Sequence, residues 1–195
     1  MTPHRGLSLI KKVRDMLRIY EPLRIPPGGR PPAAVLLLLY DLDQRTHLLF
    51  TRRTELVEYH KGQICFPGGA REESDADLLS TALRETCEEV GVQPEHVEPV
   101  GRLDDIATMG SNFVISPYVG VLTVPAPYPF EHARHEVDEI LEVPLDHLLD
   151  SSNIFRDVRR LGEHEIEMQS YRFGDHVIWG ATARILKRFL DLLSK

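Results

Sequence analysis

Three glutamates on a single predicted helix turn are the residues of this sequence best suited to chemistry: Glu85, Glu88 and Glu89. They lie in residues 74–90, which we predict to form a helix that ends at Gly91, because glycine accepts the left-handed conformation after a last turn. At about 100° per residue, Glu88 falls about 60° to one side of Glu85 and Glu89 about 40° to the other, so the three carboxylates share one face. The other side carries the residues predicted to pack inward: Leu79, Leu83, Thr86 and Val90.

Carboxylates at this spacing repel one another, by roughly a few tenths of a kcal/mol per pair in an isolated helix. A hard divalent cation removes the repulsion, and Mg²⁺ takes carboxylate and phosphate oxygens as ligands. The face therefore predicts a Mg²⁺ or Mn²⁺ site that meets a phosphate. On the glutamates alone, a solvated acidic surface without a metal is the simpler interpretation.

The loop before the helix reverses that balance. Phe66-Pro67-Gly68-Gly69 precedes Arg84-Glu85-x-x-Glu88-Glu89-x-Gly91. Together the two segments resemble the Nudix box, the sequence motif of the Nudix superfamily. The spacer between them is one residue longer than in the usual box, and Thr86 stands where an aliphatic residue is usual. Asp75 takes the place of the first glutamate of the box. Two roles fit Asp75 equally well: capping the helix or shaping the site.

The resemblance implies a role for each matched position. Glu85 and Glu89 would be metal ligands, and Glu88 a third ligand or the base. Arg84 would pair with a carboxylate and fix its rotamer. The resemblance also implies the fold, an α/β fold of the Nudix type, in which a mixed β-sheet lies between helices in an α/β/α sandwich.

Gly68 and Gly69 would line the substrate site beside the box. Related hydrolases often use a further glutamate from a later loop as a ligand or base. Glu136 and Glu139 both follow the proline-rich loop at a suitable place. We favour Glu136 as a metal ligand, because the pair Glu136-Val137 matches the family pattern, although a surface acid fits the sequence equally well.

The elements that must position these residues follow from hydrophobic periodicity and turn residues. Ser74 with Asp77 resembles a helix-capping box, and Pro117 suggests an edge strand or a bulge. The predicted strands are 33–40, 47–51, 64–66, 97–103, 113–124, 140–143, 165–173 and 177–179, and the further helices are 145–149 and 181–193.

An amphipathic helix is predicted over residues 7–20, followed by a Pro/Gly-rich linker. We therefore divide the chain into an N-terminal helix and linker, 1–32, and a Nudix hydrolase domain, 33–195. The formal charge of −7 argues against nucleic acid and anionic membrane partners. Cys65 and Cys87 form no Cys-x-x-Cys pair, which argues against a disulfide framework and a structural zinc site. With no signal-peptide pattern and no apolar run of membrane-spanning length, a cytoplasmic protein is expected. The sequence leaves the oligomeric state open, and a homodimer is one of the alternatives.

A narrower resemblance lies upstream of the box. Leu49-Phe-Thr-Arg52-Arg53-Thr, followed by His60-Lys-Gly-Gln-Ile-Cys-Phe66, is similar to the signature of coenzyme A pyrophosphatases, as are Leu103-Asp104-Asp105 and Trp179-Gly180-x-Thr182. It implies that coenzyme A or its thioesters are cleaved to 3′,5′-ADP and 4′-phosphopantetheine. Arg52, Arg53 and Asp105 would then bind the substrate. Glu58 departs from the pattern, since it stands where that family has an arginine.

Because of Glu58, other nucleotide pyrophosphates stay open as the small-molecule substrate: ADP-ribose, a dinucleotide or a nucleoside triphosphate. Two interpretations without catalysis also remain. One is a sensor with this fold that binds a nucleotide without cleaving it, which loss of a box glutamate would have favoured. The other is a scaffold protein whose acidic helix is only a surface, which absence of Mg²⁺ binding near Glu85 would favour.

Overall fold

The computed structural model describes residues 5–55, 61–108, 111–161 and 164–195, with the side chains of 5–8, 157 and 159–167 left aside. Glu58, on which the choice of substrate partly turned, lies outside these ranges. The helices are α1 (Arg5–Arg18), α2 (Leu78–Val90), α3 (Leu145–Leu149) and α4 (Gly180–Leu193). The strands are β1 (Pro32–Leu42), β2 (Arg45–Arg53), β3 (Ile64–Cys65), β4 (Gly68–Ala70), β5 (Val97–Arg102), β6 (Ile106–Ala107), β7 (Val114–Leu122), β8 (Val137–Pro144), β9 (Ile154–Leu161), β10 (His164–Phe173) and β11 (His176–Ile178).

A mixed sheet of eight strands forms the centre of the molecule, with β3, β2, β1, β7 and β5 in order and β4, β6 and β8 attached to β1, β7 and β2. Strands β1 and β7 run parallel, and the other pairs are antiparallel. A second, antiparallel sheet contains β9, β10 and β11. The hairpins β1–β2 and β10–β11 confirm the sequence expectation, whereas β9 was not predicted.

Strand β1 is buried on both faces, which explains its unbroken apolar run. Because successive side chains point to opposite faces, Leu36 and Leu38 pack with Ala82 and Val90 of α2. Leu37 and Leu39 belong to the opposite core cluster. That cluster also takes in α1 and α4, through residues including Val13, Leu17, Leu186 and Phe189. Helices therefore cover both faces of the sheet, which confirms the α/β/α sandwich.

Helix α2 begins later than predicted. Asp77 is its N-cap residue, and the Asp77 carboxylate accepts a hydrogen bond from the backbone N–H of Ser80 at 2.8 Å. The proposed capping box led by Ser74 is therefore wrong, because Asp77, which lies nearer the apolar run, is the N-cap residue. The predicted end is confirmed, since Gly91 adopts φ 74° and its N–H donates to the Cys87 carbonyl.

Pro117 does not mark an edge, because β7 lies inside the sheet between β1 and β5. On its β5 side, the pairing of β5 ends at Arg102 opposite Tyr118 and that of β6 begins at Ile106 opposite Ile115. Pro117 therefore faces the break between two short strands, where a missing N–H interrupts no ladder. In the part of the chain that the structure describes, no helix is long and apolar enough to cross a membrane.

Candidate active site

Two glycines bring the backbone of β4 against helix α2. A Cβ on Gly69 would lie 2.4 Å from Oε1 of Glu85, and a Cβ on Gly68 would lie 2.2 Å from the carbonyl oxygen of Ala34. Neither distance is compatible with a side chain unless the backbone or the carboxylate moves. The Gly68-Gly69 pair therefore lets the Glu85 carboxylate rest directly on strand β4, as its place beside the predicted box requires.

Glu89 is the most deeply buried of the three helix glutamates, with 3% of its side chain exposed. Its Oε1 lies 3.8 Å from Nη1 of Arg53, and its Oε2 has no hydrogen-bond partner among the described residues. Burial raises the pKa of Glu89 to about 8, Glu85 and Glu136 add to that rise, and Arg53 opposes it. A buried carboxylate with an unsatisfied oxygen and acidic neighbours is suited to a divalent cation, which would stabilise the charged form.

Glu85 and Glu88 differ from Glu89 in exposure, a difference that the helical wheel did not show. The Glu85 side chain is 16% exposed and that of Glu88 is 60% exposed. Burial also raises the pKa of Glu85 above its ordinary value. The three carboxylates therefore run from the protein interior to the solvent across one helix face, rather than forming one evenly exposed surface.

Arg84 ties this face together. Its Nη1 lies 3.0 Å from both Oε1 of Glu85 and Oε2 of Glu88. On its other side, Nε and Nη2 donate to the two oxygens of Asp75 at 2.9 and 3.0 Å. The sequence assigned Arg84 the part of pairing with a carboxylate, and the structure shows hydrogen-bonded pairs with Asp75, Glu85 and Glu88.

Asp75 is buried and shapes the site through Arg84. It also accepts hydrogen bonds from Oγ1 of Thr81 and the backbone N–H of Glu72, both at 2.9 Å. The Arg84 guanidinium is the main reason that the pKa of Asp75 lies far below its usual range. Of the two parts left open for this residue, helix capping is excluded, since Asp77 caps the helix, and the contact with Arg84 favours the site-shaping one.

Glu136 lies at the end of the loop between β7 and β8, which passes the C-terminal end of α2. Backbone N–H groups of Glu131 and Ala133 donate to the carbonyl oxygens of Val90 and Glu89 at 3.2 and 3.0 Å. These bonds use the unpaired carbonyls at the end of the helix and fix the loop beside the glutamates. Glu136 lines a cavity of about 310 Å³ together with Glu88, Glu89, Ala133 and His135.

The same Glu136 also lines a second, larger cavity of about 740 Å³. Strand ends, the loop after β6 and the first turns of α4 supply its mostly apolar lining, which includes Phe66, Phe113, Ile115, Met168, Trp179 and Ile185. Gly68, Gly69 and Arg53 line it where it approaches α2. Glu136 therefore joins the acidic cluster to a space large enough for a small-molecule ligand.

Arg52 and Arg53 are neighbours on β2 and point to opposite faces of the sheet. Arg53 faces Glu89 and the larger cavity. Arg52 makes ion pairs with Asp138 and with Glu139, the latter at 3.3 Å, and lines neither cavity. Of the two arginines expected to bind substrate, Arg53 therefore lines the larger cavity and Arg52 does not.

Asp105 also lies apart from both cavities. It accepts hydrogen bonds from the backbone N–H of Ile25 at 2.9 Å and Oγ of Ser116 at 2.7 Å, and it forms an ion pair with Arg102. Its carboxylate is engaged in holding the N-terminal segment, which periodicity in the sequence could not show. Glu139, the alternative to Glu136, is engaged by Arg52 and lies 3.6 Å from Nε2 of His176.

Within the described ranges, no three acidic, histidine or cysteine side chains already converge as metal ligands. Arg84 instead holds Glu85 and Glu88 by its guanidinium. The donor set nevertheless fits a hard cation, because it consists of carboxylates and includes the unsatisfied oxygen of Glu89. Arg84 contacts only Oε1 of Glu85 and Oε2 of Glu88, which leaves the second oxygen of each carboxylate for a metal.

The match to known families rests on more than the box. The model of the NUDIX domain matches residues 30–161, more than half of the chain. The chain belongs to the Nudix hydrolase family. It is therefore a pyrophosphohydrolase, and the matched region includes β4 and α2, which carry the segments that resemble the family box.

Bacterial relatives of this Nudix hydrolase extend the likeness over most of its length. It is 36% identical over 161 residues to the uncharacterized Nudix hydrolase NudL of Enterobacter sp. (strain 638), covering 82% of this chain and 81% of that protein. It is 37% identical over 166 residues to the NudL protein of Photorhabdus laumondii, covering 85% and 86%. The crystal structure of a MutT/nudix family protein from Enterococcus faecalis matches with a TM-score of 0.56 and 15% identity, covering 99% of this chain and 71% of that one, which supports the fold alone.

Several residues of this Nudix hydrolase's site escaped the sequence analysis. The apolar cavity wall formed by Met168, Trp179 and Ile185 comes from β10 and α4, about a hundred residues after the box. Trp179-Gly180 was noticed only as a family match. A partial signal was present in the unusual tryptophan and glycine before an amphipathic helix, but no local pattern shows that this turn meets Phe66.

Proposed function

We propose that this Nudix hydrolase cleaves the pyrophosphate bond of coenzyme A or its thioesters, giving 3′,5′-ADP and a 4′-phosphopantetheine product. The observation that carries the proposal is the 740 Å³ cavity, which begins at Gly68, Gly69 and Arg53 and continues between apolar side chains. A substrate with a pyrophosphate and a long pantetheine arm matches this combination of a polar end and an apolar groove. The upstream sequence likeness to coenzyme A pyrophosphatases points the same way.

In the proposed site, Glu85, Glu89 and Glu136 hold Mg²⁺ or Mn²⁺, with Glu88 a further ligand or the base. The metal would neutralise the pyrophosphate oxygens and make phosphorus more open to attack by water. Arg84 keeps the carboxylates of Glu85 and Glu88 in place through the two 3.0 Å contacts. Because Arg84 is itself fixed by Asp75, the carboxylates are oriented before the substrate arrives.

Cations inside the larger cavity suit the anionic substrate. Nε of Arg53 is buried and has no hydrogen-bond partner in the described part of the chain, although its Nη1 faces Glu89. Arg184 also lines the cavity, where its Nη1 donates to the carbonyl oxygen of Ala107 at 3.2 Å. These two arginines would supply the cations that the phosphates of coenzyme A need. Arg53 was among the substrate-binding residues expected from the sequence, whereas Arg184 was not.

A substrate panel tests the proposal. Coenzyme A, one thioester, ADP-ribose, a dinucleotide and a nucleoside triphosphate are each incubated with Mg²⁺ or Mn²⁺, and products are identified by mass. We expect the highest kcat/KM for coenzyme A or the thioester, with 3′,5′-ADP as a product. A preference of tenfold or more for ADP-ribose would remove coenzyme A as the substrate and leave hydrolysis of another nucleotide pyrophosphate.

A further inference from the structure

Two consecutive aspartates between β5 and β6 bind the segment that follows α1. Asp104 accepts hydrogen bonds from the hydroxyl of Tyr20 at 2.5 Å and from the backbone N–H of Leu23 at 2.8 Å. Asp105 accepts from the backbone N–H of Ile25 at 2.9 Å, and its own N–H donates to the carbonyl of Leu23 at 2.9 Å. Residues 20–25 are thus laid along this loop by alternating side-chain and backbone bonds.

Helix α4 is attached to Asp104 and Tyr20 through Arg188. Nε of Arg188 donates to Oδ2 of Asp104 at 2.8 Å, and Nη2 of Arg188 donates to the Tyr20 hydroxyl at 2.9 Å. One helical turn earlier, Nη1 of Arg184 donates to the carbonyl oxygen of Ala107. Arg184 and Arg188 are four residues apart, so they share one face of α4. Arg188 connects that face to the β5–β6 loop, and Arg184 connects it to β6.

The joined elements are the ones that enclose the larger cavity. After β6 the chain continues into Thr108. Thr108, Ser111 and Phe113 line the cavity on that side. Helix α4 supplies the neighbouring wall through its first residues, Gly180, Ala181, Thr182, Arg184 and Ile185. The distance between these walls therefore depends on how α4 is held against the loop, and Asp104 lies at that junction.

We infer that Asp104, Tyr20 and Arg188 form a positioning clasp that sets the width of the substrate cavity. None of the three lines the cavity, so they act through the elements that they join and not by touching the substrate. Residues 20–25 and α4 (Gly180–Leu193) lie outside the matched NUDIX domain region, 30–161. Through the clasp, these two segments, which lie beyond the matched family region, contribute to substrate selection. This inference rests on the proposed use of the larger cavity as the substrate site.

The clasp has the features of a strong polar junction. The Asp104 side chain is 17% exposed and Arg188 is 38% exposed, so their charge-assisted bond is partly shielded from water. Asp104 keeps its charge readily, because Tyr20, Leu23 and Arg188 hold its pKa below the ordinary value despite burial. Asparagine at 104 removes the charge without changing the shape, and lysine at 188 removes the forked guanidinium while retaining the charge.

The only tryptophan of the chain provides a reporter. Trp179 is the N-cap residue of α4, lines the larger cavity and is 41% exposed. A looser clasp lets α4 move from the loop and changes how easily a small quencher reaches the indole ring. Acrylamide quenching of Trp179 therefore reports movement of the α4 wall of the cavity, without any substrate turnover.

The experiment compares Asp104→Asn, Arg188→Lys and Tyr20→Phe with Asp191→Asn. Asp191 pairs with Lys187 on α4 at 2.6 Å, and both side chains are half exposed, so its substitution removes an ion pair from the same helix without touching the clasp. For each protein we measure Trp179 quenching, the melting temperature, and kcat and KM for the best substrate of the panel. Tyr20→Phe removes a single hydroxyl and is the mildest change.

In the three clasp variants we expect the quenching constant to rise at least about twofold and KM to rise about tenfold, with kcat within about threefold of wild type. Asp191→Asn should match wild type in every measurement. A lower melting temperature with unchanged quenching and unchanged KM would overturn the inference, because the clasp would then only stabilise the fold. If coenzyme A proves not to be a substrate while quenching and KM respond as expected, the clasp stands and the substrate proposal fails.

Discussion

Nη1 of Arg53 lies 3.8 Å from Oε1 of Glu89, across the junction between strand β2 and helix α2. The arginine opposes the rise of the Glu89 pKa, but burial dominates, and the pKa stays at about 8. Arg53 also lines the cavity proposed for the substrate, whereas the other oxygen of Glu89 has no partner among the described residues. The pair thus links the proposed metal site to the proposed phosphate site.

The raised pKa of Glu89 predicts a pH effect on the metal-free protein. Between the ordinary pKa of 4.5 and about 8, the folded protein keeps a proton that the unfolded chain has lost. Stability therefore falls as pH rises through this window, by an amount on the order of a few kcal/mol. Urea unfolding in EDTA at pH 5, 6.5 and 8 measures the effect, and we expect Glu89→Gln to flatten the slope and to be more stable than wild type at pH 8.

Two acidic residues close together on the chain form a matched pair for mutation. Glu136 lines both cavities, whereas Glu139 is engaged by Arg52 and His176. Glu136→Gln should lower kcat about 100-fold, a typical loss for a positioned acid–base group or ligand, while Glu139→Gln stays within about threefold. Steady-state kinetics with saturating Mg²⁺ decides between them, and equal losses in both variants would disprove the assignment of Glu136.

Substitution of Gly69 tests the close approach of β4 to α2. Gly69 has no left-handed φ, so its backbone accepts alanine, but the new Cβ would lie 2.4 Å from Oε1 of Glu85. We expect Gly69→Ala to fold normally and to lose at least about tenfold in kcat, because the Glu85 carboxylate must move. In the Gly69→Ala background, Glu85→Asp shortens the acid and should relieve the clash. If this double variant recovers none of the lost activity, the loss has a cause other than displacement of the Glu85 carboxylate.

The ion pair between Asp75 and Arg84 is expected to stabilise the fold as well as the site. Asp75→Asn leaves a largely buried guanidinium with one fewer charged partner, which should lower the free energy of unfolding by about 2 kcal/mol. Glu72→Gln is the control, since Glu72 is 63% exposed and lies 3.9 Å from Arg84, where an ion pair contributes little. Denaturant unfolding of both variants at pH 7 checks the difference.

Much of the fold followed from local patterns. The apolar run of β1, the hairpin with β2 and the glycine end of α2 were all predictable, because each depends on neighbouring residues. The start of α2 was misplaced, since Ser74 and Asp77 both suit a cap and only the position of the apolar side decides between them. Strand β9 was missed, because Ile154–Leu161 mixes four charged residues with its apolar ones and has no clear alternation.

The site was predictable in composition but not in depth. Helix periodicity placed three glutamates on one face, but it could not show that Glu89 is buried beside Arg53 while Glu88 is exposed. Likewise, Arg52 and Arg53 looked equivalent in sequence, but the pleat of β2 sends only Arg53 to the cavity. Asp105 appeared suited to substrate, although its partners Ile25 and Ser116 are brought together only by the tertiary fold.

We expect the carboxylates of α2 to hold a divalent metal for pyrophosphate hydrolysis. The most direct measurement is Mn²⁺ binding, followed by electron paramagnetic resonance, together with hydrolysis of the best panel substrate by wild type and Glu89→Gln. We predict that EDTA abolishes wild-type activity, and that Glu89→Gln stays folded, binds Mn²⁺ more weakly and loses at least about two orders of magnitude in kcat. Full activity in Glu89→Gln, or wild-type activity that survives EDTA, would contradict the account.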